Sequence, residues 1–176
     1  MCLDAEKEYE IRAAALKTKI AGVDKMAIPG VAVGRNVFET EWFFANKEDF
    51  AAVMGVSGAT YVKALEVKFA LIDYAGFTDS GDGRDKCPVL WLDYDIFLFW
   101  QFSNVRADGT RSSNDFTALI MNMQEEFFRN RRLDEKTRIV SFTQLGRVVK
   151  RKTTEYLPDD KVKGSFVNLR VRIEVR

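Results

Sequence analysis

Phe166-Val-Asn-Leu-Arg-Val-Arg-Ile-Glu-Val-Arg176 alternates without a break: Val167, Leu169, Val171, Ile173 and Val175 fall on one side, Asn168, Arg170, Arg172, Glu174 and Arg176 on the other. Successive side chains of a β-strand point to opposite faces, so this stretch predicts a strand that buries one face and wets the other. The chain is expected to end inside its own sheet, held by the apolar row and presenting a mostly basic outer row.

The stretch Pro88 to Phe102, PVLWLDYDIFLFWQF, is the hydrophobic centre of the chain. Leu90, Leu92, Tyr94, Ile96, Leu98, Trp100 and Phe102 form its predicted core face. Val89, Trp91, Asp93, Asp95, Phe97, Phe99 and Gln101 form the other. Two acids set among aromatics suit a surface partly covered by another chain. Asp93 and Asp95 also have the spacing of a metal pair, although such a pair more often meets lysine or arginine across a sheet.

Around these strands the remaining elements follow from capping and periodicity. Asp4 caps a helix over residues 5–21 with Tyr9, Ala13, Leu16 and Ile20 as a stripe, shallow because it is rich in alanine, so the helix is expected on the surface or against a neighbouring subunit. Residues 22–36 read as a loop, Asn36 to Phe44 as a strand, Lys47 to Met54 as a short helix and residues 59–75 as a strand. Thr78 to Lys86 and Ser103 to Ser113 are polar loops. Ser113 or Asn114 caps a helix over residues 115–132 whose stripe is Phe116, Leu119, Ile120, Met123 and Phe127; Arg129, Arg131 and Arg132 suit the negative end of its dipole. Arg138 to Leu145 and Val148 to Leu157 read as a hairpin-like pair. Loops this short exclude parallel crossovers, so the expected class is α+β: an antiparallel sheet packed against one main helix, with an additional N-terminal helix.

The 176 residues suit a single domain, with residues 1–60 as a helix-containing N-terminal extension and 61–176 as the α+β core. The net charge of +1 hides a division: residues 131–176 hold 13 basic against 6 acidic side chains, and the rest of the chain 14 against 20. Such polarity can meet nucleic acid, or dock subunits through complementary potentials; it is also what a solvated strand face that discourages aggregation looks like. Cys2 and Cys87 lack metal-ligand spacing and imply no disulfide framework. The charged N-terminus has no signal-peptide character, and no apolar run approaches membrane length, so a soluble protein is expected.

There is no histidine, which removes Ser-His-Asp and Cys-His nucleophile systems and histidine acid–base catalysis. Glu66 and Lys68 echo the E-x-K half of metal-dependent nucleases, yet the same alternation describes any ion pair on a strand face. Asp79, Asp82 and Asp85 do not match a calcium-loop spacing. Gly30 to Gly34 lacks the Lys-Ser/Thr of a phosphate loop and reads as a turn. Lys150, Arg151 and Lys152 form a basic cluster without the interleaved aromatics of a base-stacking platform.

The order of PVLWLDYDIFLFWQF, a polar loop, S-x-D-F-T-A-L-I, EEFFRNRRL, a hairpin-like pair and the closing GSFVNLRVRIEV resembles the tail-terminator or tail-completion proteins of tailed bacteriophages, over about residues 65–176. The resemblance implies a structural virion protein, made in the host bacterial cytoplasm, whose hexameric ring caps the tail tube and joins it to the neck. Implied partners are further copies, the tail tube protein and head-completion or neck proteins, with non-specific proximity to DNA in the channel, no membrane, no cofactor and no catalytic residue. Lys150, Arg151, Lys152, Arg170, Arg172, Arg176, Trp91, Asp93, Asp95 and Phe97 are then the interface or channel candidates. Alternatives are a head-completion or other neck ring protein, and the metal-dependent nuclease.

Overall fold

The computed structural model describes residues 4–46, 68–79, 89–101, 112–153 and 163–176. The predicted terminal strand is β6, Lys163–Val175, and it lies in the interior of the sheet. The other strands are β1 (Val37–Glu39), β2 (Lys68–Asp79), β3 (Leu90–Gln101), β4 (Thr137–Gln144) and β5 (Val149–Thr153). Their order is β1-β2-β3-β6-β4, with β5 also on β6. Every pairing is antiparallel except β1 with β2, which is parallel. The class is α+β, with a mixed and mostly antiparallel sheet.

Two helices cover one face. Helix α1, Ala5–Ala21, begins where Asp4 accepts the N–H groups of Glu6 and Lys7. Its stripe Ala13, Leu16 and Ile20 is fully buried, so the alanine-rich helix packs on its own sheet. The long amphipathic helix, α3, runs from Ser112 to Arg129 and inserts Phe116, Leu119, Met123 and Phe127 beside it. Lys19 bridges the two helices through Glu126 at 3.1 Å. Beneath them lie Leu92, Tyr94, Ile96 and Leu98 of β3 and Val167, Leu169, Val171, Ile173 and Val175 of β6, as the alternation required. Each such side chain removed from water contributes about 2 kcal/mol.

The expected strand over Asn36 to Phe44 is a correction. Only Val37–Glu39 pairs with β2; Thr40–Asn46 forms helix α2. The Thr40 hydroxyl donates to the Ile72 carbonyl and so occupies the next acceptor along β2. Helical geometry then brings Phe43 onto Phe69, with ring centroids 5.3 Å apart, on the face of the sheet opposite α1 and α3. Buried Asn36 holds the preceding loop by donating to Met26 and Lys68 carbonyls.

The expected hairpin of β4 and β5 is also corrected, because both strands pair with β6 instead of each other. Together they form one interrupted strand along β6, with a bulge between Ile139 and Ser141 and a turn at Gly146, whose φ of +89° suits glycine. The strand expected over 59–75 is described from Lys68 and continues to Asp79, and α3 ends before Arg131 and Arg132. The helix expected at 47–54 and most of the loops expected at 78–86 and 103–113 lie outside the described residues. No described helix is long and apolar enough to cross a membrane.

Candidate assembly surfaces

The register of β3 with β6 decides the chemistry of the outer sheet face. Asp93 falls opposite Arg172 and Asp95 opposite Arg170. Both pairs close as two-point forks: Arg172 donates to Asp93 at 2.7 and 2.7 Å, and Arg170 to Asp95 at 2.7 and 2.9 Å. These hydrogen bonds raise both guanidinium pKa values. With the arginine side chains about 40% exposed (41% and 38%), each pair contributes less than about 1 kcal/mol.

Further along, Trp91 donates its indole N–H to Glu174 at 3.3 Å and Arg176 donates to the same carboxylate at 2.6 Å. Burial pushes the Glu174 carboxyl up, and the hydrogen bonds from Trp91 and Arg176, with the charges of Arg176 and Arg138, outweigh it, so the net shift is downward. Arg170, Arg172 and Arg176 therefore each hold an acid, and the expected mostly basic row is, with its neighbours, a charge-balanced ladder. Alternation within one strand shows which residues share a face; it is silent about the neighbour that faces them.

Phe97 belongs to a second apolar cluster on this face. It contacts Phe166 at 5.4 Å and Phe69 at 6.3 Å, and Phe69 in turn meets Phe99 at 5.1 Å. Phe69 and Phe99 are fully buried although they point away from α1 and α3. Beside them Thr40, Asp73, Asp95, Phe97, Leu145 and Asn168 line a hollow of about 180 Å³. Lys150, Arg151 and Lys152 lie on β5; Lys152 is in register with Gly164, at the far end of β6 from Arg176.

A basic cleft escapes the sequence reading. Residues 131–136 turn from α3 into β4 and wrap the end of the sheet, held by four hydrogen bonds. The Thr137 hydroxyl oxygen accepts the N–H groups of Leu133 and Asp134, Ile139 donates to the Arg131 carbonyl at 2.6 Å, and Arg176 donates its backbone N–H to Lys136 at 3.0 Å. The result is a concavity of about 310 Å³ lined by Arg131, Arg132, Glu135, Lys136, Thr137, Arg138, Glu174 and Arg176. The ion pairs and side-chain hydrogen bonds of the described residues include none for Arg132, Lys136 or Arg138. The signal in the sequence is the density of cations over 131–138, divided there between a helix end and a strand start.

The opposite side of the sheet is acidic. Glu39, Glu41 and Asp73 are exposed around β1, α2 and β2. They act on Tyr9, whose hydroxyl pKa is pushed up to about 12 by burial first and then by Glu39, Asp73 and Glu41. The part of β2 that extends beyond β1 and the edge strand β4 both resist direct strand addition. The Tyr74 N–H is taken by the Asp73 carboxylate at 2.9 Å and β2 bulges before Gly76, while the Arg131 carbonyl occupies the Ile139 N–H of β4.

Of the nuclease candidates, Glu66 lies outside the described residues. Lys68 is 7% exposed, donates to the Lys25 carbonyl at 2.6 Å and sits 4.1 Å from the Trp100 ring centroid, a packed position. Among the described residues no group of three or more His, Cys, Asp and Glu is placed to hold a metal. No family model matches the chain, and no curated protein shows significant similarity to it.

Proposed function

We propose that this chain is a structural assembly protein of tailed-bacteriophage virions, whose hexameric ring terminates the tail tube and joins it to the head–neck complex. One observation carries the reading: the sheet's two outer sides are opposite in charge. Glu39, Glu41 and Asp73 lie on the β1–β2 side, and Arg132, Lys136, Arg138 and Arg147 on the β4 side, where Glu135 and Glu174 also line the cleft. Two different, complementary surfaces on one subunit favour head-to-tail contacts, and these close into a ring when the rotation permits. The resemblance in element order supplies the identity of the ring. The charge-balanced ladder of Asp93–Arg172 and Asp95–Arg170 suits a wall beside DNA that neither grips nor repels it strongly.

The test is co-expression with the tube protein encoded in the same gene neighbourhood, followed by electron microscopy. Tubes closed at one end by a ring are the expected result. Tubes that stay uncapped, with the protein monomeric both alone and beside them, would overturn the reading, as would a gene neighbourhood without virion components.

A further inference from the structure

Arg132, Lys136 and Arg138 are exposed at the basic cleft, and among the described residues no ion pair or side-chain hydrogen bond engages any of them. Their backbone is nevertheless fixed. The bonds that hold the 131–136 turn carry it, and Lys136 also donates its backbone N–H to Asp134 at 2.8 Å, an acid that Arg12 holds from α1. The other cations of the lining are occupied: Arg131 donates to the Phe128 carbonyl at 3.4 Å, and Arg176 holds Glu174. Glu174 is taken in turn by Trp91 and Arg176, which leaves Glu135 alone in the lining to offset the three open cations.

We infer that this cleft binds phosphate groups of a nucleic-acid backbone; the inference goes beyond the ring reading and does not rest on it. Two guanidinium forks and one ammonium match the paired free oxygens of phosphodiesters, and the hollow of about 310 Å³ is larger than one carboxylate fills. Because the turn is already bonded, binding orders only side chains. Phosphate carries no sequence information, so the site takes backbone of any sequence. The neighbouring outer face gives a polyanion little hold, since Arg170 and Arg172 are each forked to an acid, and Glu39, Glu41 and Asp73 repel it from the β1–β2 side. A second copy is the other candidate occupant, and register counts against it. Asp73 shares a row with Asp95, Arg170 and Thr143, and Glu39 shares one with Ile72, Ile96, Leu169 and Gln144. In a ring whose strands stay level, both acids come beside the end of β4 that leads to Arg147, whereas the cleft lies at its start, around Thr137 and Arg138. The cleft stays open in such a ring.

The test is fluorescence anisotropy of a short labelled DNA duplex with the full chain across a salt series, with circular dichroism as the control for folding. Two triple variants with the same loss of charge are compared: Arg132→Ala, Lys136→Ala, Arg138→Ala in the cleft, and Lys7→Ala, Lys17→Ala, Arg35→Ala on and after α1. The cleft variant is expected to bind at least about 100-fold more weakly near 0.1 M salt, and its slope of log affinity against log salt to fall by about 2.7, three contacts at about 0.9 each. The α1 variant is expected to keep most of the wild-type affinity and slope. Equal losses in the two variants would mean adsorption to net charge and would overturn the site. So would a wild-type chain that binds no duplex at low salt, or a cleft variant that binds as wild type does. Calorimetric binding of inorganic phosphate without binding of duplex would assign the cleft to a free phosphate and sink the backbone assignment. A cleft variant that keeps duplex binding but loses assembly mass in light scattering would make the cleft a subunit joint instead. Duplex binding lost only in the cleft variant, beside tubes that stay uncapped, would uphold the site and overturn the ring alone.

Discussion

A Cβ added to Gly164 would lie 2.3 Å from a Phe99 ring carbon and 2.6 Å from the Trp100 carbonyl. The Phe99 ring lies directly on the β6 backbone there, and both Phe99 and Gly164 are buried. Neither the ring nor the carbonyl can yield cheaply, so Gly164→Ala is expected to lose about 3 kcal/mol in urea unfolding. The buried tyrosines tie stability to pH. Tyr94 donates its hydroxyl to the Tyr9 carbonyl, and burial first, then the neighbouring Tyr9, raises its pKa further than that of Tyr9. An unfolded tyrosine releases its proton near pH 10, whereas folded Tyr9 does so only at about 12. Between those values the unfolded chain holds fewer protons, so stability should be flat below about pH 10 and fall from there as pH rises. Urea midpoints across that range, with Tyr9→Phe as the comparison, measure it; the decline should be shallower in the variant.

Among the elements, α1 is tied to the turn that forms the cleft. Arg12 is 6% exposed and bridges Glu8 on its own helix to Asp134 on the turn. Removing it leaves Glu8, largely buried, without its cation, and Arg12→Ala is expected to destabilise by about 3 kcal/mol. The outer ladder behaves differently. Arg172→Ala breaks a pair that is partly in water, and a double-mutant cycle with Asp93→Ala should return a coupling of no more than about 1 kcal/mol. The same two types of residue thus differ in worth because of where the fold places them. The helix α2 teaches a related lesson. The run NVFETEWFF is rich in strand-forming residues, yet after three residues of pairing the Thr40 hydroxyl takes the next β2 acceptor and burial of Phe43 on Phe69 favours a helix.

At the scale of the molecule the division of charge is the feature with consequences. In the proposed ring, basic and acidic sides held apart by the sheet would attract their counterparts on another copy through fields that salt screens. Assembly is therefore expected to weaken strongly as ionic strength rises from roughly 0.05 to 0.5 M, with unfolding midpoints little changed because the core is apolar. Sedimentation of the assembled species across that range checks it, and assembly indifferent to salt would count against an electrostatic seam.

Elements whose burial is periodic along the chain were legible in the amino-acid order. β3, β6, α1 and α3, with their core faces and the α+β class, follow from alternation and from stripes at helical spacing, because a residue's face depends only on its own neighbours in sequence. Tertiary structure alone decided what depends on residues far apart. Asp93 and Asp95 meet Arg172 and Arg170 through strand register, Thr40 ends β1 by reaching a carbonyl of β2, and the 131–136 turn meets the end of β6 to form the cleft. Pairing across the sheet is set by register, which no local pattern encodes, and so the surfaces on which copies would meet emerge only from the folded chain.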